Sequence, residues 1–120
     1  ESSLAEFKMI LQDEISRYGM PHDFGPAVSF AGKILTGIDP TKLSPAYSLT
    51  NHQHYYFTHG DKDQRILPRH FYFFKNYASN NNISSDFWLV KDTYHVDAML
   101  KYPDEYGLRM KKFFEKHLSN

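Results

Sequence analysis

Two residues in this chain stand where an acid and a base could work together. Asp63 lies just beyond the apolar run Tyr55-Tyr56-Phe57-Thr58, which breaks at His59-Gly60-Asp61-Lys62 into a polar loop. His95 lies just beyond a second apolar run, Phe87-Trp88-Leu89-Val90, after Lys91-Asp92-Thr93-Tyr94. A carboxylate against an imidazole fixes the ring's tautomer and stabilises its protonated form, which is the acid–base part of a Ser-His-Asp triad. The two positions are 32 residues apart, enough for one helical crossover between parallel strands. Two strand–loop units so connected put both loops at the carboxyl end of one sheet, where α/β proteins display their chemical groups. The expectation is an Asp63–His95 separation of about 3 Å. In the plainer alternative, Asp63 only forms a turn and His95 is a surface residue.

The third member of a triad is missing. Nucleophilic serines of this chemistry sit in Gly-x-Ser-x-Gly on a strained strand-to-helix turn. No such pattern occurs, and Ser29 between Gly25 and Gly32 has the wrong spacing. Asp61 and Asp97 are rivals for the acid; Asp97 is close to His95 in sequence and suits a turn cap. His52, His54 and His59 could suggest a metal, with His52 and His54 on one face of a strand. Neither carboxylate nor cysteine joins them at ligand spacing, so neither metal nor cofactor is expected. His59 is expected to be buried beside the acid loop.

Composition narrows the classes. One domain at most fits in 120 residues, and 41% hydrophobic with 17% aromatic residues supplies a core. Lys+Arg and Asp+Glu balance at 14 each, so no basic field marks a nucleic-acid surface. The aromatic run Phe71-Tyr72-Phe73-Phe74 therefore reads as core rather than as a stacking platform, and Lys111-Lys112 as a solvated helix face. The absence of cysteine excludes disulfides and thiol nucleophiles and agrees with a cytoplasmic setting. No apolar run approaches the roughly 18 residues of a membrane helix. The chain opens on Glu1 rather than Met, without a visible signal peptide, which suggests a fragment or processed product.

The elements that must position the pair follow from periodicity. Ser3-Leu4-Ala5-Glu6 fits a capping box, with Ser3 as cap, before a helix whose apolar face is Leu4, Phe7, Leu11, Ile15 and Tyr18. Gly19 ends it in the left-handed conformation. Ala27, Val28, Phe30, Ala31, Ile34 and Leu35 predict a second, mostly buried helix. Gly37, Pro40 and Pro45 punctuate an irregular loop. A strand near Gln53 to Thr58 precedes a helix opened by Pro68, with Phe71, Phe74 and Ala78 on its apolar face, stopped by Asn80-Asn81-Asn82. Asp86 to Val90 is the second strand. A last helix starts at Pro103, with Tyr106, Met110, Phe113, Phe114 and Leu118 facing the core and basic residues in its last turns. Two strands are too few for a complete doubly wound sheet.

These motifs resemble the α/β-hydrolase superfamily, in its esterase and prolyl-oligopeptidase-like branches. His59-Gly60-Asp61-Lys62-Asp63, with Ile66 three positions on, looks like the family's acid loop, and Tyr94-His95-Val96-Asp97 like its histidine loop. The proline after the acid stands at the fifth position, Pro68, where the fourth is commoner. Gly37-Ile38-Asp39 with Leu43-Ser44-Pro45 resembles the linker before the acid strand, and Pro103-Asp104-Glu105-Tyr106 with Arg109 and Phe113 the closing helix. The resemblance runs from about residue 1 to 118 and implies an α/β fold: the C-terminal part of an α/β-hydrolase, parallel strands flanked by helices. Residues 1–120 would form a single partial domain whose nucleophile-bearing half lies upstream. It implies catalytic roles for Asp63 and His95 in cleaving a small ester or amide through an acyl-serine, the chain alone being inactive. Esterase is favoured over peptidase, because nothing marks a propeller domain or a peptide site. Neither nucleic acid nor membrane is an expected partner. Removal of the upstream half should bare a strand edge and the apolar faces of Phe7, Leu11 and Phe74, and so drive self-association. The alternative is a non-catalytic, stand-alone interaction domain with a hydrolase-like half-fold.

Overall fold

The computed structural model describes residues 1–118 and is a mixed α/β structure. Helices α1 (Phe7–Arg17) and α2 (Phe24–Thr36) come first, then two 3₁₀ turns, Pro40–Lys42 and Pro45–Ser48, each opened by a proline. Strand β1 (Tyr55–Gly60), helix α3 (Arg69–Asn80) and strand β2 (Ser85–Val90) form a crossover unit. The short α4 (Ala98–Lys101) and the long α5 (Pro103–Leu118) close the described chain. β1 and β2 pair in parallel, from Tyr55 opposite Ser85 to Gly60 opposite Val90.

The period-two alternation of the strands divides their side chains between two layers. Phe57 stacks on Phe87 at 4.9 Å between ring centres, and Phe74 of α3 closes on Phe57 at 4.6 Å. Ala5, Ala46 and Leu49 complete that face. On the opposite face Trp88, Val90 and Tyr56 meet Ala98, Tyr102 and Tyr106. The Arg109 guanidinium lies over the Trp88 ring at 4.5 Å, a cation–π arrangement. The two-stranded sheet thus sits between α3 on one side and α4–α5 on the other.

Several expectations from the sequence are corrected. The Ser3 capping box does not form: Glu6 occupies the cap position without a side-chain cap bond, and its carboxylate accepts from the Tyr47 hydroxyl. The Phe7 amide instead donates to Ser44 Oγ at 3.1 Å, so a distant loop supplies the cap. Tyr18 is exposed, because α1 ends at Arg17 and turns away through Gly19 at φ 65°. Helix α2 forms but buries none of its residues; Leu35 is 84% exposed, and Val28, Phe30 and Ile34 also face outward. Its apolar surface has no sheet within the described chain to cover it. Phe74, expected to be bared, is buried under Phe57, whereas Phe114 and Leu118, expected in the core, face out. β1 starts at Tyr55, so His52 and His54 precede the strand, and His54 stacks on His117 at 3.8 Å.

Candidate active site

The site is built where the carboxyl ends of β1 and β2 give way to loops. The close approach of those loops depends on Gly60. A Cβ placed there would lie 2.2 Å from the Thr93 carbonyl oxygen and 2.5 Å from that of Tyr94. With no side chain in the way, the histidine loop lies directly on the end of β1. The Lys62 amide donates to Thr93 O at 2.9 Å, and Asp61 Oδ1 accepts from the Thr93 amide at 3.2 Å. Outside, Lys62 pairs with Asp92 at 2.6 Å. Asp61, a rival for the acid, is therefore a strut between loops. Asp97, the other rival, stands at the start of α4 without a side-chain cap bond.

Asp63 itself is 2% exposed. Its Oδ1 accepts from the backbone amides of Arg65 and Ile66, each at 2.9 Å, which fixes the carboxylate in a tight turn. Its Oδ2 faces His95 Nδ1 at 2.9 Å. Burial is the largest influence on Asp63 and works to raise its pKa. The hydrogen bonds from His95, the Ile66 amide, Ser2 and the Arg65 amide outweigh it together, so the pKa falls below the ordinary carboxylate value. The group is ionised at neutral pH. An ionised carboxylate only accepts, so Nδ1 of His95 carries the proton and Nε2 of the neutral ring is left as a base. About a third of the His95 side chain is exposed, while that of Asp63 is enclosed. Among the described residues, no serine hydroxyl is hydrogen-bonded to His95 Nε2.

His59 lies under the acid loop, as its sequence position suggested. Its Nε2 reaches the Ile66 carbonyl at 2.8 Å and lies 3.5 Å from Asp63 Oδ2. Both partners are acceptors, so this nitrogen carries hydrogen. Burial lowers the His59 pKa against the opposing pull of the Ile66 carbonyl and Asp63. No group of three or more His, Cys, Asp or Glu fit to hold a metal occurs among the described residues.

A second aspartate–histidine pair escaped sequence reasoning. His70, fully buried on α3, accepts the Ala5 amide on Nδ1 at 3.0 Å and faces Asp13 Oδ2 through Nε2 at 3.1 Å. Arg69 binds the other Asp13 oxygen and the Met9 carbonyl. Both ring nitrogens are occupied, so this histidine is a tie between α1 and α3, unlike His95. Asp13 and His70 are 57 residues apart on separate helices, and no local pattern marks them. Ser2 and Glu1 were also missed. The Glu1 carboxylate accepts from the Ala98 amide at 2.8 Å, and Ser2 Oγ accepts from the Val96 amide on the histidine loop at 3.3 Å.

Comparison with family models, curated proteins and solved structures gives no match. No helix among the described residues is long and apolar enough to cross a membrane.

Proposed function

We propose that this chain is the C-terminal portion of an α/β-hydrolase-like serine hydrolase, supplying acid and histidine to a triad whose serine lies upstream. The observation that carries this reading is the 2.9 Å contact between His95 Nδ1 and a buried, amide-held Asp63, on adjacent loops at the carboxyl ends of parallel strands. A buried carboxylate aligned on one imidazole nitrogen, with the other left over as base, suits proton transfer from a hydroxyl nucleophile. The open side of β1 gives further support. The Ser2 amide donates to Thr58 O at 2.9 Å, the bond an incoming neighbouring strand would continue.

In the proposed reaction His95 Nε2 takes the serine proton as the oxygen attacks the ester or amide carbonyl. Asp63 stabilises the resulting imidazolium, which then protonates the leaving group. Water hydrolyses the acyl-serine by the same relay. The amides that hold the oxyanion in such enzymes come from the residue after the serine and an earlier loop, so they would lie upstream too.

The test uses a fluorophosphonate probe and a nitrophenyl ester. The longer parent protein should be labelled at one upstream serine, whereas the 120-residue chain alone is not. His95→Ala in the parent should abolish turnover, and Asp63→Asn should lower kcat by about 10⁴ by releasing the ring into the wrong tautomer. Full activity without His95 would refute the mechanism. Equal damage from Asp61→Asn with a mild Asp63→Asn would reassign the acid.

A further inference from the structure

Resting on the hydrolase reading, we propose that Arg17 is a positioning residue of the acid, its guanidinium clamping from α1 the two peptide units that hold the Asp63 carboxylate. Those units join Gln64 to Arg65 and Arg65 to Ile66. Their N–H groups, the amides of Arg65 and Ile66, donate to Asp63 Oδ1 at 2.9 Å each. Their carbonyl oxygens, on Gln64 and Arg65, accept from Arg17 Nη2 at 2.9 and 3.0 Å. No cis peptide bond occurs among the described residues, so in each unit the C=O and the N–H point opposite ways. Arg17 therefore grips both peptides on the side away from the carboxylate. Nη2 carries two hydrogens, one for each carbonyl. Two successive peptides held by one nitrogen fix the tilt of the turn, which a single bond would leave free to rock.

The guanidinium is itself held. Its Nη1 donates to Glu14 Oε1 at 2.8 Å, one turn back on α1. Four residues before Arg17, on the same helix face, Asp13 binds Arg69 and His70 at the start of α3. Helix α1 thus lies as a splint along residues 64–70, the stretch that runs from the acid into α3. The next carbonyl of the turn, Ile66 O, meets His59 Nε2 at 2.8 Å, so the loop is gripped from α1 and from β1. The clamp also acts through charge. A cation on a carbonyl oxygen polarises the peptide and strengthens its N–H as a donor. Arg17 does this to the two amides from which ionised Asp63 accepts. It thereby favours the charged carboxylate that steadies His95.

Two substitutions test the clamp. Arg17→Met keeps an unbranched stem and removes the charge and both bonds; Arg17→Lys keeps a cation facing the carbonyls. The 120-residue chain, with aspartate carboxyl carbons labelled, is titrated by NMR, and exchange of the Arg65 and Ile66 amides is followed. Arg17→Met should raise the Asp63 midpoint and speed exchange of those two amides about tenfold, and Arg17→Lys should recover part of both. In the parent, Arg17→Met should lower kcat about tenfold with KM unchanged, the mark of an interaction made for the transition state. An Asp63 midpoint equal to wild type in Arg17→Met overturns the proposal. So does exchange that quickens equally along α1 and in the acid turn, since Arg17 would then only stabilise its helix. A parent that forms no acyl-enzyme refutes the hydrolase reading separately; the titration and the exchange need no catalysis and read the clamp in either case.

Discussion

Gly60→Ala is the sharpest test of how the two loops are held. Gly60 does not have a positive φ, so its requirement is purely spatial. The added methyl would lie 2.2 Å from Thr93 O, 2.7 Å from Thr93 C and 2.5 Å from Tyr94 O, all backbone atoms that no side-chain rotation can move. Relief requires the histidine loop to retreat by about 1 Å, the distance to ordinary carbon–oxygen contact. Overpacking of this kind costs about 1–3 kcal/mol. The bonds from the Lys62 amide to Thr93 O and from the Thr93 amide to Asp61 would stretch with it, at about 1 kcal/mol each. The expected loss is therefore about 3–5 kcal/mol. In urea, with a slope of roughly 1–3 kcal/mol per molar, that lowers the midpoint by about 1–5 M. A retreat of 1 Å also withdraws His95 from Asp63, and misplacement of that size costs the parent about 10² in kcat. Gly107→Ala is the internal control. Nothing lies within 4 Å of its Cβ position, and it sits inside α5, so helix propensity should stabilise the chain by about 0.5–1 kcal/mol. If Gly60→Ala unfolds within 0.5 kcal/mol of wild type, the close approach of the two loops is wrong, and with it the geometry assigned to the site.

Two further predictions concern stability and surface. Burial lowers the pKa of both His59 and His70, each against a nearby aspartate. The unfolded chain takes up these protons near pH 6.5 while the folded chain does not. Stability is therefore complete above that value and lost on acidification, with a slope of up to about 1.4 kcal/mol per pH unit per histidine. Asp63, also lowered, adds a second loss only below its unfolded value near 4. Denaturant midpoints from pH 8 to 5 should show the histidine decline, and His70→Ala, which also leaves Asp13 Oδ2 and the Ala5 amide without this partner, should flatten part of it while costing about 3 kcal/mol at pH 8; a flat wild-type profile would contradict the buried neutral rings. On α2, Leu35→Gln should change stability by less than about 0.5 kcal/mol, since the side chain has little to lose. If the chain self-associates through this face, the same substitution lowers its sedimentation-average mass; an unchanged oligomer would place the contact elsewhere.

The elements that bring Asp63 to His95 were legible because each rests on local rules. Short apolar runs marked the two strands, Pro68 and Pro103 opened α3 and α5, and the spacing between strands allowed one crossover. The burial of Phe71 and Ala78 followed from helical periodicity, and that of His59 from its place beside the acid loop. What stayed hidden depends on residues far apart in the chain. Ser44 caps α1 in place of Ser3 because the loop before β1 folds back on the helix start, which no local capping pattern encodes. The apolar composition of α2 predicted burial, yet burial needs a covering surface, and among the described residues none lies against that face. The Asp13–His70 tie joins positions on two helices with no shared motif. Composition and periodicity thus determined which elements form and which end of the sheet bears the acid and the histidine. Only the tertiary structure decided which distant hydroxyls and amides hold them there, because hydrogen-bond partners are chosen by proximity in space and leave no period in the sequence.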